Sequence, residues 1–252
     1  MTLAVLSRNG SEDLVLFLHG PGCVKENFAK LWKAPELAGA ALVAPDLPGH
    51  GTSQGLSPEA WTMEGMTEAV RDVLRVCGGP AKRMHIVAHS LGGAVGLLLT
   101  EQTPIPLASF VNAEANLIAE DCTLLSRRSA EMDLALFRNE KFAKLKARAR
   151  ASDDPGLQAW ALWAEACSAE SFHASARSLV AWSDSGRLLE MYRALRVPTL
   201  YVYGERSAIP EVLVAVEGLP THEVANCGHF IMLERPAELA GVLAGMLARA
   251  RG

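Results

Sequence analysis

Residues 84–93 read MHIVAHSLGG, an apolar run that ends in a small-x-Ser-x-Gly-Gly turn. A helix-compatible segment, Ala94–Thr100, follows without a break. A sharp strand-to-helix turn strains its central residue and requires small neighbours, here Ala88 and Gly92. The Ser90 hydroxyl would then project at the carboxyl end of a sheet, above helix N–H groups that favour negative charge. The pattern predicts a nucleophile elbow, although a buried strand entering a helix through small residues would look the same.

Size and charge limit the class of protein. The chain has 252 residues, half of them apolar, which suits one large α/β domain or one domain with an insertion. The net charge of −4 gives no basic footprint for nucleic acid. A modest basic run, Lys141–Arg148, is expected to form the solvated face of a helix.

Neither export, membrane insertion nor metal binding is indicated. The longest apolar runs, such as Leu91–Leu99, are too short to span a bilayer, and no secretory signal is recognisable, so a cytoplasmic protein is expected. The cysteines are odd in number, scattered and without a C-x-x-C pair. We therefore expect reduced thiols, with neither a zinc site nor a disulfide framework.

Short apolar runs alternate with helical patterns, which predicts a mostly parallel sheet with helices on both faces. The predicted strands are Thr2–Leu6, Leu14–His19, Ala41–Pro45, Met84–His89, Ser109–Ala113, Thr199–Tyr203 and Thr221–Val224. The predicted helices are Lys25–Trp32, Glu59–Val76, Gly93–Gln102 and Ala237–Arg249.

One region breaks this alternation. Residues 115–195 carry two long helical patterns, Asp121–Arg150 and Leu157–Val180, and no convincing strand. Because ligands bind at the carboxyl edge of open α/β sheets, an all-helical insertion there predicts a lid. We expect an α/β core at 1–114 and 196–252 and a lid at 115–195. Most of its large aromatic residues should be core, with one or two lining an apolar pocket; they are Trp160, Trp163, Phe172 and Trp182.

Four motifs in order give the chain a resemblance to the α/β-hydrolase superfamily over nearly its full length. They are His19-Gly20-Pro21-Gly22, Asp46-Leu47-Pro48-Gly49-His50-Gly51-Thr52-Ser53, the elbow at 88–93, and Gly228-His229-Phe230 with Glu234-Arg235-Pro236. The resemblance implies the α/β-hydrolase fold and a small-molecule substrate, with no metal or organic cofactor. The Gly/Pro-rich 46–53 segment is expected to be a structural turn.

Ser90 is the expected nucleophile, and a serine hydroxyl needs an adjacent base. His229, on a loop after a predicted strand, is the best candidate base. Most superfamily members place an Asp in a G-x-x-D arrangement after the penultimate strand. Here that loop reads Gly204-Glu205-Arg206-Ser207. Because Ser207 cannot carry a charge beside an imidazolium, another carboxylate has to orient the histidine.

Three carboxylates could take that place. Glu114 ends the apolar strand after the elbow, an arrangement similar to that of haloalkane dehalogenases, and is preferred. Glu205 is the alternative acid, and Asp121 is a more remote one. Glu114 could equally be a surface carboxylate at the lid hinge, and Glu205 could simply pair with Arg206.

The oxyanion hole departs from the superfamily pattern. One donor is expected from the N–H of Leu91. The other usually comes from the residue after His-Gly, which here is Pro21 and has no N–H. Gly22 or Cys23 would replace it, or the hole would lack a donor, at a cost of about 2.7–4 kcal/mol. His19 is expected to support this loop, while His89 is structural or lines the pocket.

These residues favour a serine hydrolase that cleaves a small, mostly apolar carboxylic ester, thioester or lactone through an acyl-enzyme. The same triad could instead serve C–C bond hydrolysis, lyase or cyclisation chemistry. A non-catalytic ligand-binding member of the fold is the third possibility. The pattern predicts neither a nucleic-acid nor a membrane partner and leaves the oligomeric state open.

Overall fold

The computed structural model describes residues 3–250, and within them a single sheet carries the strand order β1-β3-β2-β4-β5-β6-β7. Strand β1 runs antiparallel to β3, and the remaining neighbours pair in parallel. The strands are β1 (Val5–Arg8), β2 (Asp13–Leu18), β3 (Ala41–Pro45), β4 (Arg83–His89), β5 (Leu107–Ala113), β6 (Thr199–Gly204) and β7 (Thr221–Val224).

Helices cover the sheet and fill the β5–β6 connection. The α-helices are α1 (Met63–Cys77), α2 (Leu91–Thr100), α3 (Ser126–Glu131), α4 (Leu134–Leu136), α5 (Phe142–Arg150), α6 (Pro155–Trp163), α7 (Ala169–Asp184), α8 (Arg187–Ala194), α9 (Pro210–Ala215), α10 (Ile231–Glu234) and α11 (Pro236–Arg249). Tighter 3-10 turns occupy Lys25–Lys33, Pro35–Leu37, Pro58–Trp61, Ala119–Cys122 and Ala164–Ala166, and a π turn occupies Phe137–Lys141.

Strand β2 shows why the sheet is central. Its residues are all buried, as the unbroken apolar run Leu14–Leu18 predicts for a strand covered on both faces. Alternate side chains enter different apolar layers, Leu16 the layer with α1 and α2, and Phe17 the layer with α11. The mostly parallel α/β sheet predicted from the sequence is therefore confirmed.

Several element boundaries differ from the predictions. The first predicted strand, Thr2–Leu6, begins outside the described residues, and β1 lies at Val5–Arg8. This edge strand is only half-buried, so its apolar pattern is weak. The predicted helix Lys25–Trp32 is a 3-10 helix, and α2 begins at Leu91, two residues earlier than expected.

The predicted helix Glu59–Val76 is divided at Thr62. This residue adopts an extended backbone after the 3-10 turn, and its hydroxyl accepts a hydrogen bond from the N–H of Gly65 at 3.1 Å. Threonine is a favourable N-cap. Thr62 therefore ends the 3-10 turn and caps the start of α1.

The described chain between β5 and β6 is helical and forms no strand. The predicted Asp121–Arg150 helix is broken, because Met132 is extended (ψ 152°) and a π turn follows α4. The Leu157–Val180 pattern is split between α6 and α7 by a 3-10 turn. The segment is hydrogen-bonded to the rest of the chain; the indole N–H of Trp160 donates to the carbonyl of Pro21 at 2.7 Å.

Candidate active site

Ser90 lies in the sharp turn between β4 and α2, at φ 51° and ψ −124°. A side chain rarely adopts this backbone conformation, and such strain is concentrated at functional sites. The neighbouring glycines are required by contact. A Cβ at Gly92 would lie 2.3 Å from the carbonyl oxygen of Leu18, and one at Gly93 would lie 2.2 Å from the Cβ of Ala115. The geometry is that of the elbow the sequence predicts.

Glu114 directly follows β5 and also has a positive φ, 51°. His229 Nδ1 lies 2.5 Å from Glu114 Oε2, close enough for the ring to donate a charge-assisted hydrogen bond. The other oxygen, Oε1, accepts from the N–H of Gly204 at 2.6 Å and from the hydroxyl of Ser207. The carboxylate is therefore buried but fully hydrogen-bonded.

The charge of Glu114 follows from these contacts. Burial alone would raise the pKa of its carboxyl group, but the hydrogen bond and charge of His229, with Ser207 and Gly204, lower it overall. Glu114 is thus ionised at neutral pH, and when the imidazole of His229 is neutral, the carboxylate holds its remaining proton on Nδ1. Nε2 is then left unprotonated, which is the form a general base requires.

The other two carboxylates considered from the sequence lie elsewhere. Glu205 is exposed, and its side chain accepts from the N–H of Asn226 at 2.8 Å. Asp121 accepts from the N–H groups of Leu117 and Ile118 at 2.7 and 2.9 Å. Neither forms a hydrogen bond with His229 among residues 3–250.

Ser207 has a contact that the sequence interpretation missed. It stands where most superfamily members have Asp, and its hydroxyl donates to Glu114. The strand register explains why Ser207 and Glu114 are in contact. Ala113 of β5 is paired with Val202 of β6, so the residues that follow the two strands reach the same edge of the sheet. The strand assignments alone contained this signal, because parallel neighbours end together.

A second set of contacts holds the loop that carries His229. The ring of His89 lies 4.6 Å from that of His229 and donates through Nε2 to its backbone carbonyl at 3.1 Å. Burial and the nearby charge of His229 lower the pKa of His89 well below its usual value, so the ring is neutral. Glu234 accepts from the N–H of Gly228 at 3.1 Å and pairs with Arg206 at 2.5 Å.

The Gly20-Pro21-Gly22 loop lies beside Ser90. The N–H of Cys23 donates to the carbonyl of Gly20 at 3.2 Å, so of the two expected replacements for Pro21 as donor, Cys23 has its N–H already engaged, which leaves Gly22 as the candidate. Gly22 has φ +69°, and a Cβ there would lie 2.7 Å from the indole nitrogen of Trp160. The Leu91 N–H opens α2 and has no partner within the helix.

Buried polar groups anchor the loop from below. The pKa of His19 is lowered by burial to about 4, and the neutral ring bonds the Gly20 carbonyl at 2.8 Å and the Leu47 N–H at 2.9 Å. Asp46 accepts from the backbone N–H groups of Lys25 at 2.7 Å and Thr52 at 2.9 Å. The 46–53 segment thus makes the structural contacts expected of it.

A cavity of about 920 Å³ lies against His229 and Glu114, between the helical segment and the chain after β6. Ser90 is outside its lining. The four large aromatic residues considered from the sequence do not line it either, and Trp160 and Phe172 are buried in the core instead. The apolar part of its wall includes Leu125, Met132, Phe137, Leu157, Ile209 and Leu213.

The basic run agrees with its prediction only in part. Lys144 and Arg148 are exposed, as a solvated helix face requires, yet together with Lys141 they line this cavity. Within residues 3–250, no cluster of three or more His, Cys, Asp or Glu side chains could hold a metal ion. In the same part of the chain, no helix is long and apolar enough to cross a membrane.

Comparison with known proteins decides the family. The sequence profile described as Alpha/beta hydrolase family matches residues 15–242, most of the chain. The chain belongs to the alpha/beta hydrolase family. The family assignment supports an enzyme of the hydrolase type, and the order of motifs and strands described above agrees with it.

Solved structures of other alpha/beta hydrolase-fold proteins match over nearly the whole chain. A variant of the N-acyl homoserine lactonase AidH, complexed with N-hexanoyl homoserine, has a TM-score of 0.76 at 21% identity and covers 97% of this chain and 92% of its own. MenH from S. aureus has a TM-score of 0.76 at 17% identity, with both chains fully covered. An esterase from Exiguobacterium antarcticum has a TM-score of 0.74 at 15% identity, covering 99% and 96%. At these identities the likeness shows the fold.

A curated relative matches part of this alpha/beta hydrolase. The magnesium-chelatase 30 kDa subunit of Rhodobacter capsulatus is 33% identical over 105 residues, which are 40% of this chain and 34% of the relative. The match spans about a third of the relative's length.

Proposed function

We propose that this alpha/beta hydrolase cleaves a carboxylic ester, thioester or lactone through an acyl-enzyme on Ser90. The observation that carries the proposal is the 2.5 Å contact between His229 Nδ1 and Glu114 Oε2, on loops that meet at the end of the sheet where Ser90 stands strained in the elbow. A nucleophile, a base and an orienting acid on these elements fit acyl transfer.

Each residue has one role in the proposed reaction. Ser90 Oγ attacks the carbonyl carbon while His229 Nε2 takes its proton, and the negative charge of Glu114 stabilises the imidazolium. The N–H groups of Leu91 and Gly22 bind the oxyanion. The tetrahedral intermediate then collapses, and the alcohol or thiol leaves with the proton from His229.

Deacylation repeats these steps with water. His229 takes a proton from the water, the resulting hydroxide attacks the acyl carbon, and Ser90 regains its proton as the acid is released. In this proposal residues 115–195 are the lid, and 1–114 with 196–252 are the catalytic core. The contact between Trp160 and Pro21 then joins the lid directly to the oxyanion loop.

The site and the family both support this type of bond. Proteins of this fold named above include a lactonase and an esterase. An apolar wall beside His229 supports an acyl or alcohol group that is mostly hydrocarbon.

Hydrolysis of nitrophenyl esters of increasing chain length, and of N-hexanoyl homoserine lactone, tests the proposal. Ser90→Ala should lower kcat by at least ~10⁴-fold, because the nucleophile is lost while binding is retained. The exposed Ser57→Ala is the matched control and should behave as wild type. Activity that survives Ser90→Ala would remove Ser90 from the mechanism.

A second candidate function rests on Pro21, which supplies no N–H where the superfamily usually has a donor. Failure of the folded wild type to open any ester or lactone would favour C–C bond hydrolysis, lyase or cyclisation chemistry at the same triad. A ligand that binds tightly and is never turned over would favour a non-catalytic binding protein.

A further inference from the structure

The cavity beside His229 carries a concentration of positive charge. Arg128 of α3 lines it, and so do Lys141, Lys144 and Arg148 of the π turn and α5. The last three are spaced by three and four residues, so they share one helical face. Two separate helices therefore direct cations at the same space.

The basic side chains on the two faces of α5 differ in how they are paired with carboxylates. On the face away from the cavity, Lys146 and Arg150 both pair with Glu165, at 2.5 and 2.9 Å. On the cavity face, the two lysines share Glu140, at 2.9 and 2.5 Å. One carboxylate thus balances only half of the charge on that pair.

The two arginines of the cavity have no such partner. The side chains of Arg128 and Arg148 form no ion pair or hydrogen bond with another residue of the described range 3–250. The carboxylates in the same wall are bound elsewhere: Glu114 to His229 and the β6 loop, and Asp121 to the N–H groups of the chain that follows β5. Like charges on one helix face are unfavourable unless something neutralises them.

We propose that the substrate carries an anionic group, a carboxylate or a phosphate, that binds between Arg128 and Arg148. This inference rests on the proposed function and adds the substrate class. The guanidinium groups offer the bidentate geometry that carboxylate and phosphate oxygens accept. The apolar wall then contacts the chain that joins the anion to the reacting carbonyl, and neutral alkyl esters are poor substrates by comparison.

Two nitrophenyl esters with acyl chains of equal length test the substrate class. Mono(nitrophenyl) glutarate ends in a carboxylate, and nitrophenyl pentanoate ends in a methyl group. Wild type should show a higher kcat/KM for the glutarate ester, and Arg128→Gln and Arg148→Gln should each lower that preference by about tenfold. Arg150→Gln removes the same charge from the opposite face of α5 and should leave both rates unchanged.

Salt and free anions extend the test. The preference should shrink with added sodium chloride, since both arginines are accessible to solvent. Calorimetric titration of wild type with glutarate and with butyl phosphate identifies the anion, because the natural group should bind more tightly than the other.

The outcomes separate this inference from the proposed function. A preference unaffected by both cavity arginines overturns the anion site while leaving ester hydrolysis intact. If wild type cleaves neither ester, the proposed hydrolase activity is wrong, and the titration alone tests the anion site. Anion binding that is present in wild type and lost in Arg128→Gln and Arg148→Gln would support that site. If wild type binds neither glutarate nor butyl phosphate, the anion site is overturned.

Discussion

Replacing Glu114 with Gln tests the centre of the proposed site. Gln keeps the size of the side chain, and its carbonyl oxygen can still accept from Gly204 N–H and the Ser207 hydroxyl. The amide NH₂ then faces His229 Nδ1 and donates to it. The proton of the neutral imidazole moves to Nε2, the atom that has to accept the proton of Ser90.

The size of the effect follows from the charge that is lost. For charges roughly 4 Å apart at an effective dielectric constant of about 20, the attraction is about 4 kcal/mol. Divided by 1.36 kcal/mol per decade, that loss lowers the rate by about 10³-fold. The unfavourable tautomer adds to it, and removal of the acid's charge in a serine protease triad costs about 10⁴-fold in kcat. We therefore expect kcat to fall by about 10³- to 10⁴-fold with little change in KM.

Steady-state hydrolysis of the best nitrophenyl ester measures this change, with circular dichroism and thermal unfolding to verify the fold. Glu205→Gln is the matched control, since the same charge is removed from an exposed residue that bonds Asn226. It should lose less than about twofold, as a surface substitution away from the site. A folded Glu114→Gln protein with near wild-type kcat, or a large loss in Glu205→Gln, would refute the assignment of the acid.

Three further predictions concern the surroundings of this pair. Ser207→Asp combined with Glu114→Gln should recover at least about tenfold of the lost kcat, because a charge returns at the position the superfamily usually uses; no recovery would show that an acid at 207 cannot orient the base. Burial raises the pKa of Asp121 from 3.8 to about 6, so the folded state binds this proton more tightly, and the contribution of Asp121 to stability falls as pH rises from about 4 to 6. Asp121→Asn keeps the acceptor and should unfold in urea with up to about 3 kcal/mol more stability than wild type at pH 7, a gap that closes below pH 4; an equal gap at both pH values would contradict this. Gly22→Ala places a methyl group against Trp160 at a positive φ and should lower kcat by at least about tenfold through the oxyanion loop, with normal kinetics as the contrary result.

The sequence determined the fold because its signals are local. The apolar run 14–18 and the small residues around Ser90 describe a buried strand and a strand-to-helix turn in terms of near neighbours. Gly92 and Gly93 are required by close contacts with Leu18 and Ala115. Breaks within helices were harder to predict from the sequence, because the helix that ends at Met132 has no Pro or Gly to mark the break.

Tertiary structure decided which groups meet. Glu114, Glu205 and Asp121 all follow or lie near strands on the correct edge; the sequence preferred Glu114 and kept Glu205 and Asp121 as alternatives. The register of β5 against β6 selects Glu114 as the carboxylate that contacts His229, and it brings the Ser207 hydroxyl to the same oxygen as the Gly204 N–H.

The basic residues of the cavity also show which features the sequence determines and which depend on tertiary structure. The sequence predicted that the basic run Lys141–Arg148 forms a solvated helix face, and its helical spacing puts Lys141, Lys144 and Arg148 on one side. Whether the face meets solvent or a cavity depends on how the 115–195 segment packs, and that packing also brings Arg128 to the same cavity. Periodicity fixes the direction of a side chain relative to its own helix, whereas its partners are fixed by contacts between residues far apart in the chain.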